Sequence, residues 1–141
     1  MLLYMLKNQI ELGFPIDDWR DKKFSKPKKK IKLATAFSGI GAIEHALDRL
    51  SINYDIVFAC DNDAYVKKSY TQNYSIDEDN WFDDIASIDP KRFKNKIDLF
   101  VGGSPCQSFS SVGKRAGLED TRGTLFYDFA RIIKEAEPEV F

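Results

Sequence analysis

The sequence predicts an α/β fold built on a parallel β-sheet. Three largely apolar runs of strand length, at residues 31–37, 54–60 and 97–101, are separated by segments in which apolar residues recur with helical spacing. Turns rich in glycine or aspartate follow the first two runs. Strands that alternate with helices favour parallel pairing, because each helix returns the chain to the same end of the sheet.

The composition is that of one globular domain. The chain has 141 residues, of which 43% are hydrophobic and 30% are charged. No apolar run approaches the ~20 residues that a membrane-spanning helix needs, and residues 1–12 lack the small-residue cleavage site of a signal peptide. We therefore expect a cytoplasmic protein with no membrane partner.

The cysteines and the histidine argue against a disulfide framework and against a metal site. Cys60 and Cys106 lie far apart in the sequence, and the single histidine, His45, is accompanied by no cysteine pair. The usual zinc ligand spacings are therefore excluded, and we expect no metal.

Residues 1–30 are predicted to form an N-terminal helix and a basic linker outside the main domain, which spans residues 31–141. The helix is indicated by apolar residues at roughly helical spacing, and Gly13 and Pro15 end it. The lysines that follow are Lys22, Lys23, Lys26, Lys28, Lys29 and Lys30. Such a run is typical of a solvated linker, and an arm that contacts phosphates is the alternative.

The first strand is followed by a glycine-rich turn that is typical of a ligand site. Glycines allow close approach of the backbone, and the N-terminus of the next helix, whose apolar residues begin at Ile43, supplies free N–H groups. Glu44 occupies the position of the third glycine of the dinucleotide fingerprint. This acid argues against a pyrophosphate at the turn.

The second strand ends at three polar residues, Asp61, Asn62 and Asp63, which precede a helix predicted to run to about Tyr74. An acid at the end of this strand is well placed to accept hydrogen bonds from a ribose. Asp61 is the candidate for that role, although an aspartate here also suits a helix cap, for which Asp63 competes. We favour the ribose interpretation, which predicts a ribose-bearing cofactor that lacks a pyrophosphate.

A long loop is predicted at residues 102–123, followed by a final helix that stops before Pro138. Residues 139–141 have the character of a further strand. If residues 139–141 begin an inner strand of the sheet, its open edge could pair with a further strand. We therefore expect either a truncated protein or one piece of a split protein, whose complementary C-terminal chain completes the sheet.

The start of the loop presents Cys106 stiffly. Gly102 and Gly103 permit positive φ or close approach of a ligand, and Pro105 fixes its own φ while it biases Ser104 towards an extended conformation. A lone cysteine after a strand is more often a small buried hydrophobe, so the loop taken alone leaves a reactive thiol as the alternative.

The order of these segments resembles the motifs of the DNA (cytosine-5) methyltransferases. The resemblance runs from about Lys32 to Phe141 and implies a Rossmann-like, S-adenosylmethionine-dependent methyltransferase sheet, of which only the first strands and helices are present. The matching segments are Phe37-Ser38-Gly39-Ile40-Gly41, Asp61, Asp84-Ile85, Gly103-Ser104-Pro105-Cys106-Gln107-Ser108-Phe109-Ser110 and Arg122-Gly123-Thr124-Leu125-Phe126.

The resemblance implies a site for S-adenosylmethionine. Asp61 matches the acid on the ribose, and Asp84 and Ile85 match the pair beside the adenine. Asn62 stands where the family often has a bulky apolar residue against the adenine, which is a departure from the pattern. The cofactor-binding residues expected from the resemblance are Phe37, Ser38, Gly39, Ile40, Gly41, Asp61, Asn62, Asp84, Ile85, Gly103, Pro105 and Leu125.

The resemblance also makes Cys106 the catalytic nucleophile and duplex DNA the substrate. A thiolate that adds to C6 of cytosine makes C5 nucleophilic enough to be methylated, and the base must first be flipped out of the duplex. The glycine-containing loop after the cysteine suits a lid. The residues expected to contact DNA are Gln107, Ser108, Ser110, Lys114, Arg115 and Arg122, with ordinary solvent exposure as the alternative for Lys114 and Arg115.

The family's Glu-Asn-Val motif, its target-recognition domain and its late cofactor motif are absent, so we expect the chain alone to be inactive or nearly so. Three alternatives remain: an RNA (tRNA) cytosine-5 methyltransferase, an inactive fragment or regulatory subunit that needs a partner chain, and a nicotinamide-dependent dehydrogenase. The dehydrogenase is disfavoured because this chain has Glu44 at the third glycine position of the dinucleotide fingerprint, and because a dehydrogenase would have no use for Cys106.

Overall fold

The computed structural model describes residues 28–105 and 121–141. The predicted N-terminal helix and the loop residues 106–120, which include Cys106, lie outside these ranges. The described elements, in chain order, are β1 (Ile31–Ala36), α1 (Ala42–Arg49), β2 (Tyr54–Cys60), α2 (Ala64–Asn73), β3 (Trp81–Phe82), β4 (Leu99–Gly102) and α3 (Thr121–Ala136), with 3₁₀ turns at Glu78–Asn80, Ile85–Ser87 and Pro90–Phe93.

Within the described residues, the strands form one four-stranded sheet in the order β3-β2-β1-β4. All pairs are parallel, so the predicted α/β fold with a parallel sheet is confirmed. The chain moves from β1 to β2 on one side and places β4 on the other side of β1. In sheets of this kind, ligands bind outside the carboxyl ends of the strands, where the strand order reverses.

Helices cover the sheet on both faces. On one face, an aromatic cluster joins β2, β4 and the 3₁₀ turn Pro90–Phe93, with ring centroids of Phe58 4.9 Å from Phe93 and 5.8 Å from Phe100. Phe129 of α3 stacks on Phe100 at 4.6 Å. On the other face, Tyr70 of α2 packs against Trp81 at 5.1 Å. Sheet and helices therefore bury β1 and β2 from both sides, as continuous apolar strands require.

The structure corrects three boundaries of the sequence prediction and adds one strand. The strand predicted at residues 97–101 is β4, at Leu99–Gly102. β1 ends at Ala36, because Phe37 adopts a left-handed conformation with φ 56° that leaves the strand. The predicted loop does not extend to Gly123, since α3 begins at Thr121. β3 was not predicted, because its two residues lie in a polar stretch and are held as a strand by pairing with β2.

The segment after α3 pairs with the sheet as predicted. Leu99 and Val140 form a parallel bridge, and the N–H of Phe100 donates to the carbonyl oxygen of Val140 at 2.9 Å.

Among the helices that the structure describes, none combines the length and the apolar character that a membrane span requires.

A buried carboxylate lies beneath the turn between β1 and α1. Glu44 is fully buried, and its Oε1 accepts hydrogen bonds from Tyr70 Oη at 2.5 Å and Thr35 Oγ1 at 3.1 Å. Burial raises the pKa of Tyr70, and the hydrogen bond to Glu44 raises it further, so the phenol stays protonated and donates. Glu44, which in the sequence analysis argued against a pyrophosphate at this turn, is thus a structural hydrogen-bond acceptor that links α1 to β1 and α2.

Replacing Glu44 by alanine should lower the free energy of unfolding by about 2–4 kcal/mol, because two buried hydroxyls lose their acceptor. Glu44→Gln keeps an acceptor oxygen and should cost less. Urea unfolding followed by circular dichroism measures both. Equal losses for the two variants would show that the hydrogen bonds to Oε1 are not the source of the stability.

Candidate functional site

A cavity of about 420 Å³ opens at the carboxyl ends of the strands. It is lined by residues that follow β1, β2, β3 and β4 and by the first half of α3. The lining residues are Phe37, Cys60, Asp61, Asn62, Asp83, Asp84, Ile85, Pro105 and Leu125. All except Cys60 and Asp83 were predicted from the sequence as cofactor-binding residues.

The turn after β1 is held in a strained conformation. Phe37 has φ 56°, which is unusual for a bulky side chain, and its ring packs against the core while it lines the cavity. Ser38 Oγ hydrogen-bonds across to β2, accepting from the N–H of Cys60 at 3.0 Å and donating to its carbonyl oxygen at 3.1 Å. Strain of this kind persists only where surrounding contacts enforce it, and it is common at ligand sites.

Asp61 connects the first two strand ends. Its Oδ2 accepts from the N–H of Gly39 at 2.9 Å and its Oδ1 from the N–H of Asp63 at 3.1 Å. Asp63 is the residue that caps α2, since its Oδ1 accepts from Tyr65 N at 2.7 Å. A carboxylate has about four acceptor positions, so Asp61 keeps capacity for a ligand hydroxyl. The helix-cap interpretation of Asp61 is therefore wrong.

The segment after β3 supplies two more carboxylates. Asp84 Oδ1 accepts from the N–H of Ala86 at 2.9 Å, which orders the 3₁₀ turn that follows it. Asp83 accepts from Trp81 Nε1 at 2.8 Å and from Lys67 Nζ at 3.2 Å. These bonds, that from Trp81 first, lower the pKa of Asp83, so the group is a carboxylate at neutral pH.

The cavity wall is negatively charged. Asp61, Asp83 and Asp84 line it, and none of the described residues that line it is basic. Lys67, outside the lining, balances the charge of Asp83, so the net charge of the wall comes from Asp61 and Asp84. Such a wall favours a cationic ligand and repels phosphates. Among the described residues, no group of three or more histidine, cysteine or acidic side chains is placed to hold a metal ion.

Cys60 lies in the cavity wall, but its thiol stays protonated and unreactive. It is a free, buried cysteine, and burial together with Asp61 and Asp84 raises its pKa to about 12. A thiol with that pKa carries at least about a hundredfold less thiolate at neutral pH than an unperturbed one. Cys60 is therefore a packing residue of the site and unsuited to nucleophilic chemistry.

In a Cys106→Ser variant, Cys60 should react with a thiol reagent far more slowly in the native protein than in urea, because the folded chain both covers the sulfur and suppresses its ionisation. Ellman's reagent measures the two rates at mildly alkaline pH, and a Cys60→Ser variant identifies the signal from Cys106. Equal native and denatured rates for Cys60 would contradict the burial.

The remaining predicted site residues lie beside the cavity or outside the described ranges. Ile40 is 70% exposed, and Gly39, Gly41 and Ser38 form the turn behind the lining residues. A Cβ added at Gly103 would meet nothing within 4 Å, whereas at Gly102 a Cβ would meet Phe129 Cε2 at 2.5 Å. Arg122 lies in the first turn of α3; the residues outside the described ranges are Cys106, Gln107, Ser108, Ser110, Lys114 and Arg115.

A larger cavity of about 610 Å³ lies at the opposite, amino end of β1 and β2, where it is lined by residues such as Lys30, Tyr54 and Ser75. None of the catalytic, cofactor-binding or DNA-binding residues expected from the resemblance lines it; Lys30 of the basic linker does. We assign the functional site to the smaller cavity, because parallel sheets bind ligands at their carboxyl edge and because the predicted residues converge there.

Comparisons with known proteins point to one family. Residues 31–141 match the family model described as C-5 cytosine-specific DNA methylase. The orphan methyltransferase M.SPRI of Bacillus phage SPR is 45% identical over 112 residues, which cover 79% of this chain and 25% of that protein. The type II methyltransferase M.HpaII of Haemophilus parainfluenzae is 37% identical, with 81% of this chain and 31% of that protein covered.

The fold has the same relatives. The crystal structure of the S. pombe Dnmt2 methyltransferase superimposes with a TM-score of 0.58 and 25% sequence identity, covering 74% of this chain and 32% of that one. The chain thus spans about a quarter to a third of the length of these relatives.

Proposed function

Because the chain belongs to the C-5 cytosine-specific DNA methylase family, we propose that it forms the cofactor-binding, nucleophile-bearing part of a DNA (cytosine-5) methyltransferase. The family depends on S-adenosylmethionine. The observation that carries the proposal is the cavity at the carboxyl edge of the sheet, where residues from four strand ends and α3 converge.

The chemistry of the cavity wall fits S-adenosylmethionine. The cofactor carries a sulfonium and an ammonium group, which suit a wall with three carboxylates and no basic residue among its described members. Asp61 would accept from the ribose hydroxyls, and Asp84 and Ile85 would lie beside the adenine. The open space at Gly103 and the side chain of Leu125 would border the methionine part. A dinucleotide is disfavoured, since its pyrophosphate would face the same carboxylates.

The proposed mechanism assigns the covalent step to Cys106. Its thiolate adds to C6 of a flipped cytosine, which places electron density on C5. S-adenosylmethionine, when bound, would supply the electrophilic methyl group to which C5 bonds, and the neutral thioether would be the leaving group. Loss of the C5 proton then restores the C5–C6 double bond as the C6–S bond breaks and releases the thiolate. Cys106 thus starts and ends the cycle as the same thiolate.

Duplex DNA is the proposed substrate, contacted by Gln107, Ser108, Ser110, Lys114, Arg115 and Arg122. We further propose that additional strands complete the sheet beside β4, whether they belong to the same polypeptide or to a complementary chain. The support is the parallel bridge from Leu99 to Val140, which already extends the sheet on that side. A cytoplasmic location stays a prediction of the sequence.

Isothermal titration calorimetry of the chain with S-adenosylmethionine and with NAD⁺ tests the proposed cofactor. We expect heat of binding with the first and none with the second, because the negatively charged pyrophosphate of NAD⁺ would face the carboxylates of the wall. Binding of NAD⁺ with similar affinity would remove the methyltransferase assignment in favour of a dinucleotide site.

Trapping with duplex DNA that contains 5-fluorocytosine tests the nucleophile, with this chain and with a version continued past Phe141. Fluorine at C5 cannot leave as a proton does, so the adduct of the continued version should persist and should disappear with Cys106→Ser, whereas this chain alone should give little or no adduct. A tRNA substrate with the same base analogue distinguishes the RNA alternative. An adduct that survives the serine substitution would exclude Cys106.

A further inference from the structure

Arg131 of α3 ties that helix to the segment that follows Asp84 and Ile85. Its Nη1 donates to the carbonyl oxygen of Ile88 at 2.9 Å, and its Nη2 donates to those of Ile85 at 3.2 Å and Ala86 at 3.3 Å. One guanidinium therefore gathers three carbonyls of a single turn. The fork of an arginine suits this arrangement, whereas a lysine ammonium would act as a point charge.

The clamp is itself held in place. Arg131 Nε donates to Asp128 Oδ1 at 3.2 Å, one helical turn earlier on α3, and both side chains are largely covered, with 31% and 24% exposure. Charged hydrogen bonds of partly buried groups are stronger than those at the surface. Asp128 thus orients the guanidinium and balances its charge.

The two segments joined by Arg131 both contribute residues to the cavity wall. Leu125 projects from α3, six residues before Arg131, whereas Asp84 and Ile85 begin the clamped turn. Arg131 does not line the cavity. We propose that Arg131 is a positioning residue, which fixes the turn of Asp84 and Ile85, beside the proposed adenine end of the cofactor, relative to Leu125 at the proposed methionine end; this inference rests on the proposed function.

A second arginine, Arg92, provides the control that distinguishes a positioning role of Arg131 from a merely stabilising one. Arg92 also joins two turns, donating from Nη1 to the carbonyl oxygen of Asp79 and from Nη2 to Asn80 Oδ1, both at 3.2 Å. None of these residues lines the cavity. Arg92→Met therefore removes a comparable clamp at a distance from the site.

Hydrogen exchange measured by mass spectrometry tests the clamp without any ligand. In Arg131→Met, the amides of residues 85–88 should exchange about tenfold faster, because charged hydrogen bonds to their turn are lost. Arg92→Met should leave them unchanged. Unaltered exchange of residues 85–88 in Arg131→Met would overturn the inference. If the methionine variant fails to fold, Arg131→Lys takes its place, with a smaller acceleration expected.

Calorimetry with S-adenosylmethionine tests the consequence for binding. Arg131→Met should raise the dissociation constant about tenfold, Arg131→Lys should restore part of the affinity, and Arg92→Met should match the wild type. Wild-type affinity in Arg131→Met would overturn the positioning role. If the wild-type chain itself binds no S-adenosylmethionine, the proposed function fails. The hydrogen-exchange experiment, which needs no ligand, then tests by itself whether Arg131 holds residues 85–88 in place.

Discussion

Replacing Asp61 by alanine should weaken the binding of S-adenosylmethionine by about a hundredfold, the loss expected when one or two charged hydrogen bonds to a ligand disappear. The effect is large because Asp61 has two tasks. It keeps acceptor capacity for the proposed ribose contact, and it holds the N–H groups of Gly39 and Asp63 in place. Calorimetry on the purified variant measures the change.

Two variants sharpen the Asp61 prediction. Asp55→Ala removes a carboxylate of the same strand at the opposite end of the sheet, where it pairs with Lys30 at 2.8 Å, and should leave the affinity unchanged. Asp61→Asn keeps one acceptor oxygen and should give an intermediate loss. An affinity of Asp61→Ala equal to that of Asp55→Ala would remove Asp61 from the cofactor site.

Replacing Gly41 by alanine should lower the free energy of unfolding by about 3 kcal/mol or more, the sum of a left-handed backbone penalty and a core overlap. Gly41 has φ 86°, and a Cβ there would overlap the ring of Tyr74 at Cε2. The clash cannot be relieved freely, because Tyr74 Oη donates to the carbonyl oxygen of Gly41 at 3.0 Å. Chemical denaturation measures the loss.

Gly39 supplies the matched control for the Gly41 prediction. It also has a positive φ, 55°, but nothing lies within 4 Å of its Cβ position, so Gly39→Ala should cost only the backbone penalty of about 1 kcal/mol. The double variant Gly41→Ala, Tyr74→Ala should show coupling between the two sites. Equal losses for the two glycine variants would mean that contact with Tyr74 contributes nothing.

The strands were predictable where burial is continuous. β2 occupies the predicted range Tyr54–Cys60, because the apolar run from Ile56 to Cys60 is buried towards its carboxyl end, where the sheet is covered on both faces. β3 was not predictable from its own residues. Trp81 and Phe82 form a strand because β2 offers them partners and because Trp81 packs on Tyr70. That information lies in distant parts of the chain.

The same distinction applies to the site. Asp83 and Cys60 are adjacent in the sequence to predicted residues, but nothing else in the sequence indicated that they line the cavity. Their place in the wall depends on how the strand ends turn, which the structure shows. Arg131 was also missed, because its partners Ile85, Ala86 and Ile88 lie more than forty residues earlier in the chain, at separations of 46, 45 and 43.

The sequence by itself determined the order of β1, β2, β4 and the three helices, the glycine turn after β1 and the acids at the strand ends. These depend on local burial patterns and backbone preferences, which short segments carry alone. Only the tertiary structure decided that Asp63 caps α2 and leaves Asp61 to the cavity, that Glu44 is a buried acceptor, and that α3 faces the turn after β3. The physical reason is that the hydrogen bonds from Gly39 to Asp61, from Tyr70 to Glu44 and from Arg131 to Ile88 join segments 22, 26 and 43 residues apart, whose geometry is set by packing.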